Sequence, residues 1–213
     1  MKVIIFGASG GTGQLLVQEA LAQGHTVTAF ARRPYSILAA PAPGLTVVQG
    51  DVYDASAVST AIAGHDAVLS ALGARNLGHS DLLEVSMRNI LAGMTAHGVS
   101  RIIVLGASGA KPGAAQHQGV LTRLFLKLVE NTVLREPFRS QQSQVRLLEA
   151  SKAEYTIVLP PRLLNRASIG HYRVQEDGLP PGGLTIPRAD VAEFMVRQLT
   201  DTSWMRKAPY MAT

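Results

Sequence analysis

The sequence predicts an α/β fold in which helices cover both faces of a doubly wound parallel sheet. Short apolar runs rich in β-branched residues alternate with longer segments whose apolar residues recur at the helical period. The runs are continuously apolar, as parallel strands buried on both faces usually are, and the alternation predicts right-handed βαβ units. The chain has 213 residues, 46% hydrophobic and 16% charged, which predicts one globular domain over residues 1–213.

Strands and helices are predicted in alternating order. The strands are predicted at Val3–Phe6, Thr26–Phe30, Thr46–Gln49, Ala67–Ser70, Ile102–Leu105 and Tyr155–Leu159. The helices are predicted at Thr12–Gln23, Ser56–Ala63, Asp81–His97, Gln141–Ser151 and Arg188–Leu199. Gly24, Gly64 and Gly98 each follow a helix just before a strand, where a left-handed residue commonly ends a helix.

Two segments interrupt this rhythm and are predicted to be irregular. Residues 109–140 are rich in Gly, Pro and Gln before an apolar helical stretch. Within them, the segment 113–140 could be a lid or a helix packed on another subunit. Residues 160–188 are rich in Pro and Gly, with a possible short edge strand at Leu184–Ile186. Both follow late strands, so we expect them on the substrate side, at the carboxyl edge of the sheet.

Composition excludes several classes of site. The chain has no cysteine, which rules out disulfides and cysteine nucleophiles and makes a reducing cytoplasm the expected location. The six histidines lack the i, i+4 pairing of a helical zinc site, so no metal is expected. No apolar run is long enough for a membrane span, and the amino terminus lacks a signal-cleavage pattern. The net charge of +5 could indicate nucleic acid, but it comes without long basic runs and with only 5% aromatic residues. A basic pocket for a small anion explains the charge equally well, and no nucleic-acid partner is expected.

The segment Gly7-Ala-Ser-Gly10-Gly-Thr-Gly13 has the spacing G-x-x-G-x-x-G and lies between the first predicted strand and helix. In that context the glycines allow a sharp turn, a close approach of a diphosphate to the backbone, and close packing of helix on strand. The alternative is a glycine-rich turn with no ligand. No G-K-[ST] follows, so the segment is not a P-loop. We expect a dinucleotide here.

The second predicted strand indicates which dinucleotide. Sites that prefer NAD usually carry an acidic residue near the end of this strand, where this chain has TVTAFARRP. Arg32 and Arg33 could clamp a 2′-phosphate, although a solvated arginine pair is the alternative. The sequence therefore predicts NADPH or NADP+, with NADH less favoured.

Several segments resemble the atypical short-chain dehydrogenase/reductase group that includes biliverdin-IXβ reductase/flavin reductase, and NmrA-like NAD(P)-binding proteins. The resemblance covers nearly the whole chain and implies a Rossmann-type fold. It lies in GASGGTGQ (7–14), ARRP (31–34), GDVYD (50–54), DAVLSALGARN (66–76), RNILAGMTAHGVSRIIVLGAS (88–108) and YTIVLPPRL (155–163).

The resemblance implies a cofactor contact at each of these motifs. The diphosphate would be bound by Gly7, Ser9, Gly10, Gly11, Thr12 and Gly13. Three pairs of residues would contact other parts of the dinucleotide: Arg32 and Arg33 the 2′-phosphate, Asp51 and Val52 the adenine, and Leu72 and Gly73 the ribose and diphosphate. The nicotinamide would be flanked by Ala107, Ser108, Pro160 and Pro161.

Plainer roles stay open for some of these residues. Asp51 could cap the turn that follows it, and Leu72 and Gly73 could be ordinary strand-end residues. Ser108 is the candidate catalytic residue, through a hydrogen bond to nicotinamide or substrate. The related proteins usually have Thr-Ser-Ala where this chain has Gly106-Ala107-Ser108, so its hydroxyl is displaced by one residue. On a strand, that displacement would turn the side chain to the other face.

None of the five tyrosines is followed four residues later by a lysine, so the Tyr-x-x-x-Lys carbonyl-reductase mechanism is not expected. The resemblance implies instead an NADPH-dependent reductase that transfers hydride to a planar conjugated acceptor, such as a flavin, a quinone or a linear tetrapyrrole. Solvent could supply the proton. Arg162, His171 and Tyr172 are candidate substrate residues, with exposed loop positions as the alternative.

A different class of function is also open. The protein could be an NADP(H)-binding redox sensor of NmrA-like type that acts through a regulatory protein partner with little turnover. A homo-oligomer is possible in either case. An epimerase or dehydratase acting on a nucleotide sugar is disfavoured, because such enzymes use the missing tyrosine–lysine pair.

Overall fold

The computed structural model describes residues 1–33, 37, 41–73, 81–120, 123 and 135–213, without the side chains of residues 135–138. A six-stranded sheet has the order β3-β2-β1-β4-β5-β6, with all neighbouring strands parallel. The strands are β1 Lys2–Phe6, β2 Thr26–Ala31, β3 Leu45–Gln49, β4 Ala67–Ser70, β5 Arg101–Leu105 and β6 Glu154–Val158. The order reverses between β1 and β4, so the predicted doubly wound fold is confirmed.

Helices in the described part of the chain pack on the two faces of this sheet. They are α1 Gly11–Ala22, α2 Ala55–Ile62, α3 Leu82–Ala96, α4 Arg135–Ala150 and α5 Arg188–Arg197. Alternate side chains of β1 point to opposite sides, as strand geometry requires. Ile4 packs in a cluster with residues of α2, α3 and α4, whereas Ile5 packs with α1 and α5. We call these the α2/α3/α4 face and the α1/α5 face.

The helix ends follow the predicted glycines. Gly24, Gly64 and Gly98 have φ of 78°, 70° and 69°, the left-handed conformation that lets the chain leave a helix and enter a strand. Asp54 marks the start of α2, because its carboxylate accepts hydrogen bonds from the amides of Ser56 and Ala57.

The prediction was wrong for the last part of residues 109–140, where α4 begins at Arg135 rather than Gln141. Pro137 lies in its first turn, where a proline removes no intrahelical hydrogen bond. The chain also forms a short 3-10 helix at Ser108–Ala110. In the segment 113–140 predicted as a lid or packing helix, residues 121, 122 and 124–134 lie outside the described residues.

The carboxy-terminal region holds two small sheets that were not predicted. Strand β7, Arg162–Leu164, pairs in parallel with β9, Thr185–Pro187. Strand β8, Arg173–Gln175, pairs antiparallel with β10, Tyr210–Ala212. The strand predicted at Leu184–Ile186 therefore exists one residue later, in a separate sheet rather than at the edge of the main one. Strands of three residues are too short to show a hydrophobic period.

No helix among the described residues is both long and apolar enough to cross a membrane.

Candidate cofactor and active site

The turn after β1 lies where the strand order reverses. Gly7 has φ +76°, and a Cβ there would lie 2.8 Å from the carbonyl carbon and oxygen of Ala71, just after β4. A side chain at this position would be both strained and in collision with backbone. The glycine thus lets the ends of β1 and β4 meet closely. In open α/β sheets this crevice is where a ligand binds.

Helix α1 packs on this turn with little space between them. A Cβ on Gly13 would lie 2.0 Å from the carbonyl oxygen of Gly7, so only glycine fits. Gly10 is the N-cap and offers no side-chain cap, and the first turn of α1 has no acidic residue. The first amides of α1 are therefore left without side-chain caps, and the helix dipole adds partial positive charge. This is the environment that a diphosphate requires.

The rest of the glycine motif is held by neighbouring side chains. Thr12 is buried, and Gly11 is exposed. Gln14 donates its side-chain amide to the carbonyl oxygen of Ser9 at 3.1 Å, which fixes the loop against the helix. Arg188, the first residue of α5, places Nε 3.1 Å from where a Cβ on Gly11 would lie. Sequence reasoning missed both Gln14 and Arg188, and Arg188 adds a cation beside the amino end of α1.

The predicted adenine and 2′-phosphate residues follow two paired strands. Arg32 and Arg33 are exposed just after β2, and Ala31 pairs with Gln49 at the end of β3. One carboxylate oxygen of Asp51 accepts the amide of Tyr53 at 3.1 Å, so Asp51 does cap its turn.

Helix α3 holds the loop after β3, which contains Asp51, Val52 and Tyr53, through hydrogen bonds. Asn89 donates to the carbonyl oxygen of the buried Val52 at 2.8 Å. The hydroxyl of Tyr53 donates to Asp81 at 2.9 Å, just before α3. Burial and this carboxylate raise the pKa of Tyr53, and the charge of Arg32 acts in the opposite direction. Asn89 lies in the segment 88–108 that carries the resemblance, but it was not among the predicted site residues.

The predicted nicotinamide residues meet at the carboxyl ends of β5 and β6. The amide of Ser108 donates to the carbonyl oxygen of Pro160 at 2.9 Å, with Ala107 extended between β5 and the 3-10 helix. Pro160 is buried and Pro161 half-buried, while Leu72 and Gly73 follow β4. Strand β5 ends at Leu105, so Ser108 opens a helix and the expected reversal of a strand face does not apply.

The predicted substrate residues separate into two places. Arg162 is exposed at the start of β7, directly after the proline pair. His171 and Tyr172 instead line a groove of about 680 Å³ along α5, together with Glu193 and Arg197. The Tyr172 hydroxyl donates to Glu193, and burial together with this carboxylate raises the pKa of Tyr172. These contacts join Tyr172 to α5 rather than to the Ser108–Pro160 edge.

Gln118 ties the two irregular segments together. Its side-chain amide donates to the carbonyl oxygens of Leu179 and Pro180 at 3.1 and 2.8 Å, and its oxygen accepts the amide of Gly182. The amide of Leu179 donates to Ala114 at 2.7 Å. The chain after Ser108 is thus braced against the carboxy-terminal region. In the described residues, no group of three or more His, Asp or Glu side chains could hold a metal ion.

Comparison with known proteins agrees with this geometry. The family described as NAD(P)H-binding matches residues 7–202. The chain is similar to the 2-alkyl-3-oxoalkanoate reductase of Stenotrophomonas maltophilia (strain K279a), with 28% identity covering 92% of this chain and 64% of that relative. The chain thus spans less than two thirds of that reductase.

Solved structures show the same fold. A wide-type short-chain dehydrogenase/reductase from Veillonella parvula DSM 2008, in complex with NADP, matches with TM-score 0.81 and 17% identity over 100% of this chain and 94% of that chain. The anaerobilin reductase ChuY of Escherichia coli O157:H7 matches with TM-score 0.81 and 21% identity over 100% of this chain and 97% of that chain. The predicted resemblance to NAD(P)-binding short-chain reductases is confirmed at this level: the chain belongs to the NAD(P)H-binding family and has its Rossmann fold.

Proposed function

We propose that this protein is an NADPH-dependent reductase that transfers hydride to a planar conjugated acceptor, such as a flavin, a quinone or a linear tetrapyrrole. The observation that carries the proposal is the hydrogen bond between Ser108 and Pro160. This hydrogen bond joins Ala107, Ser108 and Pro160 into an uncharged surface at the carboxyl ends of β5 and β6. The glycine turn lies at the same end of the sheet. Such an uncharged surface can orient a flat acceptor without supplying a strong acid.

The residues present fit the cofactor. The close contacts at Gly7 and Gly13 leave backbone amides, rather than side chains, at the reversal point, and Arg188 adds positive charge. The first turn of α1 would hold the diphosphate, and the Ser108–Pro160 edge would hold the nicotinamide end. When bound, the reduced nicotinamide supplies the hydride.

The preference for NADPH rests on the end of β2. Arg32 and Arg33 are exposed there and no acidic residue accompanies them. The carboxylate of Asp51 follows β3 instead and accepts the amide of Tyr53. Two guanidinium groups favour a 2′-phosphate, whereas a site for the free ribose hydroxyls usually has a carboxylate after β2.

The nature of the acceptor is supported by the absence of a tyrosine–lysine pair and by one similar protein. None of the five tyrosines has a lysine four residues later. Tyr53 is bonded to Asp81, Tyr155 lies beneath Arg206 at the start of β6, and Tyr172 is bonded to Glu193. The similar protein is named as an anaerobilin reductase. The 2-alkyl-3-oxoalkanoate reductase, whose name denotes a ketone, supports reductase chemistry but not the planar acceptor. An acceptor that takes its proton from solvent fits this chain better than a simple carbonyl.

Steady-state oxidation of NADPH and of NADH, with FMN and with menadione as acceptors, tests the proposal. We expect NADPH oxidation well above the enzyme-free rate. Ser108→Ala should lower kcat about tenfold with little change in NADPH affinity, because its hydroxyl lies at the reacting end. Ser100→Ala, at the opposite end of β5, is the matched control and should have wild-type kcat. Tight NADPH binding with no oxidation of either acceptor would contradict the reductase and favour the redox sensor.

A further inference from the structure

Four residues on one face of the sheet carry buried side-chain atoms with no hydrogen-bond partner among the described residues. They are Ser70 Oγ, Ser140 Oγ, Gln141 Oε1, and both Nε2 and Oε1 of Gln144. Ser70, Ser140 and Gln144 are 0%, 4% and 1% exposed. Buried polar groups in native proteins are almost always hydrogen-bonded, so such a group of orphaned atoms indicates a missing polar partner.

The topology brings these residues to the same side of the sheet. Along β4, Ala67 and Leu69 pack in the α1/α5 cluster and Val68 packs in the α2/α3/α4 cluster. Because side chains alternate along a strand, Ser70 points to the α2/α3/α4 face at the carboxyl end of β4. On α4, Val145 and Leu148 belong to that same cluster.

Helical spacing places the three α4 residues on the stripe that packs inward. Ser140 and Gln144 stand eight and four residues before Leu148, and Gln141 stands four before Val145. The stripe is apolar near the end of α4 and polar towards its beginning. From Leu148 to Ser140 the helix rises about 12 Å.

The polar half of the stripe lies at the cofactor edge. Helix α4 is joined to β6 by a short connection and runs opposite to it, so its first half lies towards the carboxyl ends of the strands. It also packs against the 3-10 helix at Ser108–Ala110 and against α3. Ser140, Gln141 and Gln144 therefore share the carboxyl edge with Ser70 and Ser108.

We propose that these side chains form a recognition site for an amide or lactam group, with Gln144 at its centre. A glutamine amide presents one acceptor oxygen and two donor hydrogens, which pair with a C=O next to an N–H. The serine hydroxyls can donate or accept beside it. No charged side chain is among the four residues, so the group bound is neutral.

The inference rests on the proposed function and narrows its acceptor. Two sources of the amide meet at this edge: the carboxamide of the nicotinamide and the lactam or imide edge of an acceptor. Flavins and linear tetrapyrroles carry such an edge, whereas a simple quinone offers only carbonyl oxygens. A quinone could accept hydrogen bonds from the amide of Gln144 but could donate none to its carbonyl oxygen.

Calorimetric titration of wild type, Gln144→Leu and Gln142→Leu tests the site without requiring turnover. The probes are NADPH, 2′-phospho-ADP-ribose, lumichrome and menadione, the last two in the presence of NADP+. Leucine keeps the size of Gln144 and removes two orphaned polar atoms, so we expect the ligand-free variant to melt no lower than wild type. Gln142 is on the same helix, outside the orphaned set, and its variant should bind all four probes normally.

The two sources give different results. Loss of about tenfold in NADPH affinity, with 2′-phospho-ADP-ribose unchanged, would assign the site to the nicotinamide carboxamide. A similar loss for lumichrome, with menadione unchanged, would assign it to the acceptor. Gln144→Leu affinities within twofold of wild type for all four probes would overturn the inference, as would equal losses in Gln142→Leu or wild-type protein that binds neither amide probe. Failure of the reductase proposal is separate, since it is read from NADPH oxidation by wild type.

Discussion

The contact between α1 and the turn after β1 gives the sharpest test of the cofactor site. In Gly13→Ala the new Cβ would lie 2.0 Å from the carbonyl oxygen of Gly7 and 2.9 Å from Cα of Ala8. Both are backbone atoms, so no side-chain rotation relieves the collision. Restoring a normal separation requires the turn and the helix to move apart by about 1 Å.

The cost follows from this displacement. Overpacking costs about 1–3 kcal/mol, and a collision with backbone lies in the upper part of that range, about 2–3 kcal/mol, while alanine recovers about 1 kcal/mol of helix propensity. We expect a net loss of about 1–2 kcal/mol, which lowers Tm by about 2–8 °C in a chain of this size. The same shift moves the amides that face the diphosphate. Weakening one charge-assisted hydrogen bond by about 1.5–3 kcal/mol lowers NADPH affinity about tenfold to hundredfold.

Calorimetric titration with NADPH, well below both melting temperatures, measures the effect. Gly93→Ala is the matched control, because its Cβ would lie 2.9 Å from Ile62 Cδ1 in the α2–α3 contact, away from the turn after β1. It should lose stability and keep its affinity. If Gly13→Ala bound NADPH like Gly93→Ala at a similar loss of Tm, the assignment of the glycine turn to the diphosphate would be refuted.

Three further predictions follow from other parts of the molecule. Arg32→Ala and Arg33→Ala should each weaken NADPH binding about tenfold and leave NADH binding unchanged; equal losses for both cofactors would argue against a 2′-phosphate clamp. Burial lowers the pKa of His65 from 6.5, so its contribution to stability is full above that pH and declines as the pH falls below it. Melting curves from about pH 7.5 to about pH 5 should therefore fall less steeply in His65→Gln than in wild type. Gln118→Ala should speed hydrogen exchange of the Leu179 amide about tenfold while amides of β1 keep their protection; unchanged exchange at Leu179 would show that Gln118 does not brace the loops.

The sequence by itself was sufficient for the sheet and the glycine turn, because both depend on local patterns. Continuous apolar runs identify parallel strands within two residues of their ends, and the spacing of Gly7 and Gly13 between a strand and a helix identifies the turn. Gly13 meets Gly7 and Ala8, which are close to it in the chain. The resemblance placed Ser108 and the proline pair beside the nicotinamide, and the hydrogen bond between Ser108 and Pro160 is a finding of the structure.

Tertiary structure alone decided which distant side chains meet. Arg188 lies against Gly11, and Gln118 joins two segments some 60 residues apart, through contacts that leave no period in the sequence. Strands β8 and β10 are three residues each and exist only because their backbones pair. The unpaired side-chain amide of Gln144 likewise could not be predicted from the sequence. A glutamine on a helix is usually solvated. Only the folded structure shows that Gln144 is buried on the inward side of α4 and that its side-chain amide has no hydrogen-bond partner in the part of the chain that the structure describes.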